Sequence, residues 1–277
     1  MSRAKYIIIP TDFSSTADNA LEYAIQINGL DNWTYLILNA YHAPQAGSNA
    51  MFVNINDMLA KESKRELKVQ KEKILDLYPG ISVQTKSVHG TVEEVINNLE
   101  LPGDIDSVVM GTTGAGGLKK ALIGSNAQKV IYESRYPVYT VPRGYDFKSP
   151  SSIVYAADLE TIPSPELFDR VVQIAKRYNT EVKVLHVDHS KDSAENIERE
   201  KNRLKLADRL ADVKHSFHVM KRYEVAAGID DFVFDSKTDL LVLVPRKMTF
   251  LRSLFRTAIT QKIVCHTKIP LLAIKAK

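Results

Sequence analysis

One cysteine, one tryptophan and twelve glycines are spread over 277 residues. A lone Cys265 excludes an intramolecular disulfide and a multi-cysteine zinc site. No apolar run approaches the ~20 residues that a membrane-spanning helix needs. The opening MSRAKYIIIPTDFS offers only Tyr6–Pro10 as an apolar core, too short for the hydrophobic region of a secretory signal. Low-complexity and collagen-like tracts are absent, and 44% hydrophobic with 25% charged residues is an ordinary globular composition. These absences predict a soluble, cytoplasmic protein. Acidic residues are missing from Leu240 to Lys277, where Arg246, Lys247, Arg252, Arg256, Lys262, Lys268, Lys275 and Lys277 are all basic. That stretch reads as a solvated edge, with an anion-binding surface as the alternative. The net charge of +4 is too mild to point to nucleic acid.

What is present is a repeat. YIIIPTDFS at Tyr6–Ser14 is echoed by IVYAADLE at Ile153–Glu160, each a β-rich run ending in an aspartate, Asp12 and Asp158. Tyr35–His42 parallels Glu181–Asp188, and Ser107–Gly111 parallels Leu240–Pro245. Gln128–Ile131 followed by Pro137–Val141 parallels Gln261–Val264 followed by Pro270–Ile274. Four blocks in one order predict two homologous domains, residues 1–145 and 151–277, joined by the Gly/Pro/Ser-rich stretch Gly144–Ser152.

Within the first repeat, buried strands alternate with helices. Tyr6–Ile9, Tyr35–Ala40, Ser107–Met110 and Val138–Val141 read as strands, with a weaker one at Ile81–Val88. Ser14 or Ser15 can cap a helix whose Ala17, Ala20, Leu21, Ala24 and Ile25 recur at helical spacing, and Gly29 suits its end. Further helices are expected over Asp57–Tyr78, Thr91–Leu99 and Asn126–Ser134, with Ala43–Asn56 irregular. The predicted fold is therefore α/β: two tandem doubly wound domains, each a mostly parallel five-stranded sheet with helices on both faces. In such sheets ligands bind beyond the carboxyl ends of the strands, where the strand order switches.

Gly111-Thr112-Thr113-Gly114-Ala115-Gly116-Gly117 opens a loop that closes at Gly124-Ser125, between a strand and a helix. Glycines let a ligand approach the backbone, consecutive amides converge on an oxyanion, and a helix amino terminus adds donors and a favourable dipole. That pattern suits a phosphate cradle; ordinary turn glycines are the alternative. Walker A spacing is absent, because neither Lys119 nor Lys120 follows a glycine as it requires, and no dinucleotide fingerprint follows the first strand.

The spacing Gly111-x2-Gly114-x9-Gly124-Ser125 resembles the nucleotide-binding motif of the universal stress proteins. The first-strand ending Ile9-Pro10-Thr11-Asp12-Phe13-Ser14 and the late Pro137-Val138-Tyr139-Thr140-Val141 resemble that family too. The likeness runs over both repeats and is stronger in the first. It implies the universal stress protein-like, adenine nucleotide alpha hydrolase-like fold and ATP as ligand, with or without Mg2+. It further implies that Pro10, Thr11 and Asp12 lie beside the adenosine, and that Asn39 and Ala40 offer backbone groups to adenine. Gly111, Thr112, Gly114, Gly124, Ser125 and Asn126 would hold the phosphates. Asp12 also suits a turn ahead of the Ser14 helix, a role compatible with the first. Pairing of the two repeats through their last strands, Val138–Val141 and Leu271–Ile274, is implied as well, and a homo-oligomer is open.

The second repeat departs from this pattern. Pro-Thr becomes Ala156-Ala157, and Pro245–Ala258 contains no glycine. No ATP is expected there. His186 and His189 read as strand-end residues rather than a metal pair, and Cys265 as a packed thiol. Met51, Phe52 and Val53 are candidates for a flap over the nucleotide or a cap on the core. No nucleophile, base and orienting acid share a sequence context that supports catalysis. An ATP-binding regulatory protein of the stress-response kind is the favoured function. A slow ATPase or phosphotransferase and a nucleotide-independent interaction scaffold are the alternatives.

Overall fold

Four consecutive apolar residues, Tyr6–Ile9, are 0–2% exposed because the strand that carries them, β1 (Lys5–Pro10), has a strand on either side and helices on both faces. The computed structural model describes residues 4–42, 49–112, 123–157, 159, 165–188, 197–244 and 269–274. Two compact units are formed, dividing between Gly144 and Tyr145.

In the first unit β1 leads into α1 (Ser15–Asn28). Ser14 is its N-cap, its hydroxyl accepting the Ala17 N–H at 3.3 Å, and Gly29 ends it at φ 78. Ala17, Ala20, Leu21, Ala24 and Ile25 are all buried, so helical spacing is realised as one packed face. Next come β2 (Trp33–Tyr41), α2 (Asn49–Leu77), β3 (Ser82–His89), α3 (Val92–Asn97), β4 (Asp104–Gly111), α4 (Ser125–Glu133) and β5 (Val138–Val141). The strand order is β3-β2-β1-β4-β5, every pair parallel. Asp18 of α1 accepts from Gln70 of α2 at 2.7 Å, which places those helices side by side. On the other face α3 and α4 are tied by Lys129–Glu93 at 3.3 Å and by the Asn97 amide donating to the Glu133 carbonyl at 3.1 Å. The order reverses between β1 and β4, which is the switch point.

The second unit repeats the plan with β6 (Ser152–Ala157), α5 (Pro165–Tyr178), β7 (Glu181–Asp188), α6 (Ile197–Arg209), β8 (His215–Lys221), α7 (Val225–Asp235), β9 (Leu240–Val244) and β10 (Leu271–Ala273). Its order is β8-β7-β6-β9-β10, again parallel. The segment preceding β6 is fastened to this unit. Phe147 packs on Tyr178 with ring centroids 6.1 Å apart, Thr180 donates its hydroxyl to the Pro150 carbonyl, and Ser151 donates its N–H to Asp239 at 2.7 Å. Burial first and the Asp239 charge second push the Tyr145 hydroxyl up to about 12.

Two expectations are corrected. The segment Ala43–Asn56 is not irregular throughout, since α2 begins at Asn49 rather than Asp57. Nothing from Asn49 onward breaks a helix, and Ala50, Met51, Leu59 and Ala60 are good helix formers. The repeat alignment of the second strands also shifts by one residue. Pro10 stands opposite Leu38 as Ala156 stands opposite Leu185, so Leu38 matches Leu185 rather than Val184. A strand buried on both faces has no polar alternation to fix its frame.

Candidate functional site

The chain leaves β1 through a short series of local hydrogen bonds. The Thr11 N–H extends the ladder by donating to the Leu38 carbonyl at 2.9 Å. The Phe13 N–H then turns back to the Thr11 hydroxyl at 3.0 Å, and the Ser14 N–H donates to the Asp12 carboxylate at 3.1 Å. Phe13 sits at φ 62, a left-handed conformation that costs a non-glycine residue roughly 1–2 kcal/mol. The turn is held from the side: Asn39, at the end of β2, donates its amide to the Thr11 carbonyl at 2.7 Å. Thr11 and Asn39 are buried, while Asp12 is exposed at the rim.

Across the switch point, the end of β4 is shaped by packing. A Cβ on Gly111 would lie 2.6 Å from the Thr16 Cγ2 and 3.0 Å from the Thr16 carbonyl oxygen. The first turn of α1 therefore demands glycine at this position. Thr112 donates its N–H to the Val141 carbonyl at 3.0 Å, and the Gly124 N–H donates to the Thr112 carbonyl at 2.6 Å. That last bond brings the two ends of the glycine loop together and sets the start of α4 beside β4. Gly124 is the N-cap of α4, at φ −62 and ψ 156, and contributes no side-chain cap. The first turn of α4 contains no acidic residue, and Ser125 and Asn126 are exposed. A helix amino terminus of this kind presents amide donors and a positive dipole end.

Of the expected site residues, Pro10, Thr11, Asp12, Asn39 and Ala40 gather at the carboxyl ends of β1 and β2. Gly111, Thr112, Gly124, Ser125 and Asn126 gather at the end of β4 and the start of α4. Gly114, Lys119 and Lys120 lie outside the described residues, as do the side chains of Met51, Phe52 and Val53. Two features had no signal in the sequence: the Asn39 side-chain bond to Thr11, and the packing demand of Thr16 on Gly111.

The second unit shows the same frame with different contents. Leu159 repeats the left-handed turn at φ 59, where Phe13 stands in the first unit, but is 6% exposed. Its carbonyl accepts from the buried Asn202 amide at 2.9 Å. His186 takes the place of Asn39, its Nδ1 lying 3.3 Å from the Ala157 carbonyl. Arg199 of α6 reaches to 3.9 Å from Asp188 at the end of β7. Asp158, His189, Cys265 and the loop carrying Arg246, Lys247 and Arg252 lie outside the described residues. Among the described residues no group of three or more His, Cys, Asp or Glu is placed to hold a metal, and no helix is long and apolar enough to cross a membrane.

Two units, each a parallel sheet with a switch in strand order and helices on both faces, define a doubly wound α/β fold. The profile of the universal stress protein family matches residues 4–142 and again 151–275. The chain belongs to the universal stress protein family and carries its domain twice in tandem. It is 31% identical over 142 residues to Universal stress protein MJ0531 of Methanocaldococcus jannaschii, covering 50% of this chain and 82% of that protein. It is 29% identical over 156 residues to Universal stress protein MJ0577 of the same organism, covering 50% and 95%. The crystal structure of a universal stress protein from Archaeoglobus fulgidus superimposes along the whole chain, with a TM-score of 0.66, 16% identity and coverage of 99% and 97%. A putative universal stress protein of Pseudomonas aeruginosa follows at 0.60, with 16% identity and coverage of 99% and 93%. At these identities the structural likeness speaks to the fold.

Proposed function

We propose that the first unit binds ATP between the ends of β1, β2 and β4, and that the protein acts as a nucleotide-binding regulator rather than an efficient enzyme. The observation that carries this reading is the Thr112–Gly124 bond, which seats the α4 amino terminus, bare of any side-chain cap, next to the switch point. Phosphate oxygens are the natural partners of such an end. Asp12 supplies the complementary feature, an exposed carboxylate on the other side of the switch. A carboxylate has about four acceptor directions, which suits it to take ribose hydroxyls as well as the Ser14 N–H. When bound, ATP would supply the change of charge and shape by which such a protein signals; this chain's part is to hold the two ends of the molecule.

The second unit is proposed not to bind. Leu159 is buried with its carbonyl held by Asn202, Arg199 pairs with Asp188 at the end of β7, and Pro245–Ala258 has none of the glycines a phosphate loop would use.

Calorimetry of the full chain with ATP tests both statements. One saturable ATP per chain is expected. Asp12→Ala should weaken it about tenfold or more, the worth of a lost charge-assisted hydrogen bond. Repeating the titration with EDTA shows whether the Mg2+ salt is required. No saturation at millimolar ATP, or two ATP per chain, would overturn the assignment.

A further inference from the structure

We propose that Asn39 is a positioning residue that sets the ribose selectivity of the site, acting through the Thr11 carbonyl on the direction of Asp12. The proposal rests on the ribonucleotide reading given above and deepens it. Asn39 is 8% exposed, and its amide is committed to the Thr11 carbonyl at 2.7 Å across 28 positions of sequence. From that carbonyl the chain has one residue, Asp12, before the left-handed Phe13. Thr11 is thus held at both ends of its peptide unit and by its side chain: N–H to Leu38, carbonyl to Asn39, hydroxyl to the Phe13 N–H. Asp12 is the first exposed residue of the turn, and its aim follows from how Thr11 is fixed together with its own bond to the Ser14 N–H.

The second unit supplies an independent instance. There the turn residue Leu159 takes φ 59 and the carbonyl of Ala157 is met by a side chain from the equivalent strand position, but the side chain is His186. Asn39 and His186 share neither size nor charge behaviour. They share a nitrogen directed at the carbonyl that precedes the turn. What this position demands is a donor to that carbonyl, whichever residue provides it. In the first unit the residue after that carbonyl is Asp12, which is exposed, so the same demand becomes a matter of ligand recognition. A carboxylate held in one direction can tell a hydroxyl from a hydrogen, because losing the hydroxyl leaves its acceptor unmatched.

The test compares ATP with 2′-deoxyATP and 3′-deoxyATP by calorimetry, using the full-length chain and the variants Asn39→Leu and Asn39→His. Wild type should prefer ATP over one of the deoxy forms by about tenfold, the scale of one charge-assisted hydrogen bond. Asn39→Leu should lose that preference, to within about twofold, in addition to any fall in affinity. Asn39→His, which restores a nitrogen as in the second unit, should keep the preference within about threefold of wild type. If Asn39→Leu does not fold, Asn39→Ala takes its place in the same comparison. A variant that binds more weakly yet keeps the full preference overturns the positioning role, since a merely structural defect weakens the three nucleotides alike. A wild type that binds all three equally also overturns it. A wild type that binds none overturns the ribonucleotide reading itself, which is a distinct result.

Discussion

Gly111 illustrates how a single residue can serve two demands that look alike in sequence. As part of a glycine motif it reads as room for a phosphate. In the structure its missing Cβ makes room for Thr16, whose Cγ2 and carbonyl oxygen would stand 2.6 and 3.0 Å from it. Gly111→Ala should therefore destabilise the first unit without any nucleotide present. Overpacking of this kind costs about 1–3 kcal/mol, and urea denaturation of the ligand-free protein measures it. Adding Thr16→Ser should recover only part of the loss, because the carbonyl contact remains. An unchanged urea midpoint would show that α1 shifts freely and that the glycine serves the loop alone. Gly124, by contrast, has an extended backbone that any residue adopts, so its demand for glycine cannot come from φ.

At the scale of elements, α3 shows what a short helix needs. It spans six residues and is opened by Thr91, whose hydroxyl and N–H both meet the Glu94 carboxylate, at 2.8 and 3.4 Å. The Thr91 hydroxyl above all, and then its N–H, hold the Glu94 carboxyl below the usual carboxylate range. A depressed carboxylate contributes stability that is whole above its ordinary pKa of about 4.3 and is lost as pH falls through the lowered value. Acidification through and below the ordinary carboxylate range should loosen α3, and Glu94→Gln should remove that part of the acid dependence, read as helix amide exchange against pH. Equal acid sensitivity in the variant would assign the effect to other carboxyls. Elements like α1 were legible because their signals are local: Ser14 before, Gly29 after and small apolar residues between. The start of α2 was not, because polar Asn49, Asn54 and Asn56 resemble loop composition. The frame of β2 against β7 was not, because β2 is buried without a break from Tyr35 to Asn39 and so has no period-two pattern to match to β7. The candidate site was legible as two clusters at strand ends. The Asn39–Thr11 bond that organises one of them joins residues that no local pattern connects.

At the scale of the molecule, the chain is two copies of one plan whose differences matter more than their likeness. Both keep the strand order, the left-handed non-glycine turn after the first strand and a side-chain nitrogen behind it. They part at the left-handed residue itself, half-buried Phe13 in one and buried Leu159 in the other. The attachment of the stretch before β6 bears on how the halves are to be prepared separately. Phe147 and Pro150 stand outside any strand or helix, yet their contacts with Tyr178 and Thr180 make them part of the second half's framework. A C-terminal fragment started at Tyr145 should melt at higher temperature than one started at Ser151, and a reversed order by scanning calorimetry would show those contacts to be idle. A cut after Gly144 therefore keeps Phe147 and Pro150 in the same fragment as Tyr178 and Thr180, so the second half carries its own anchor.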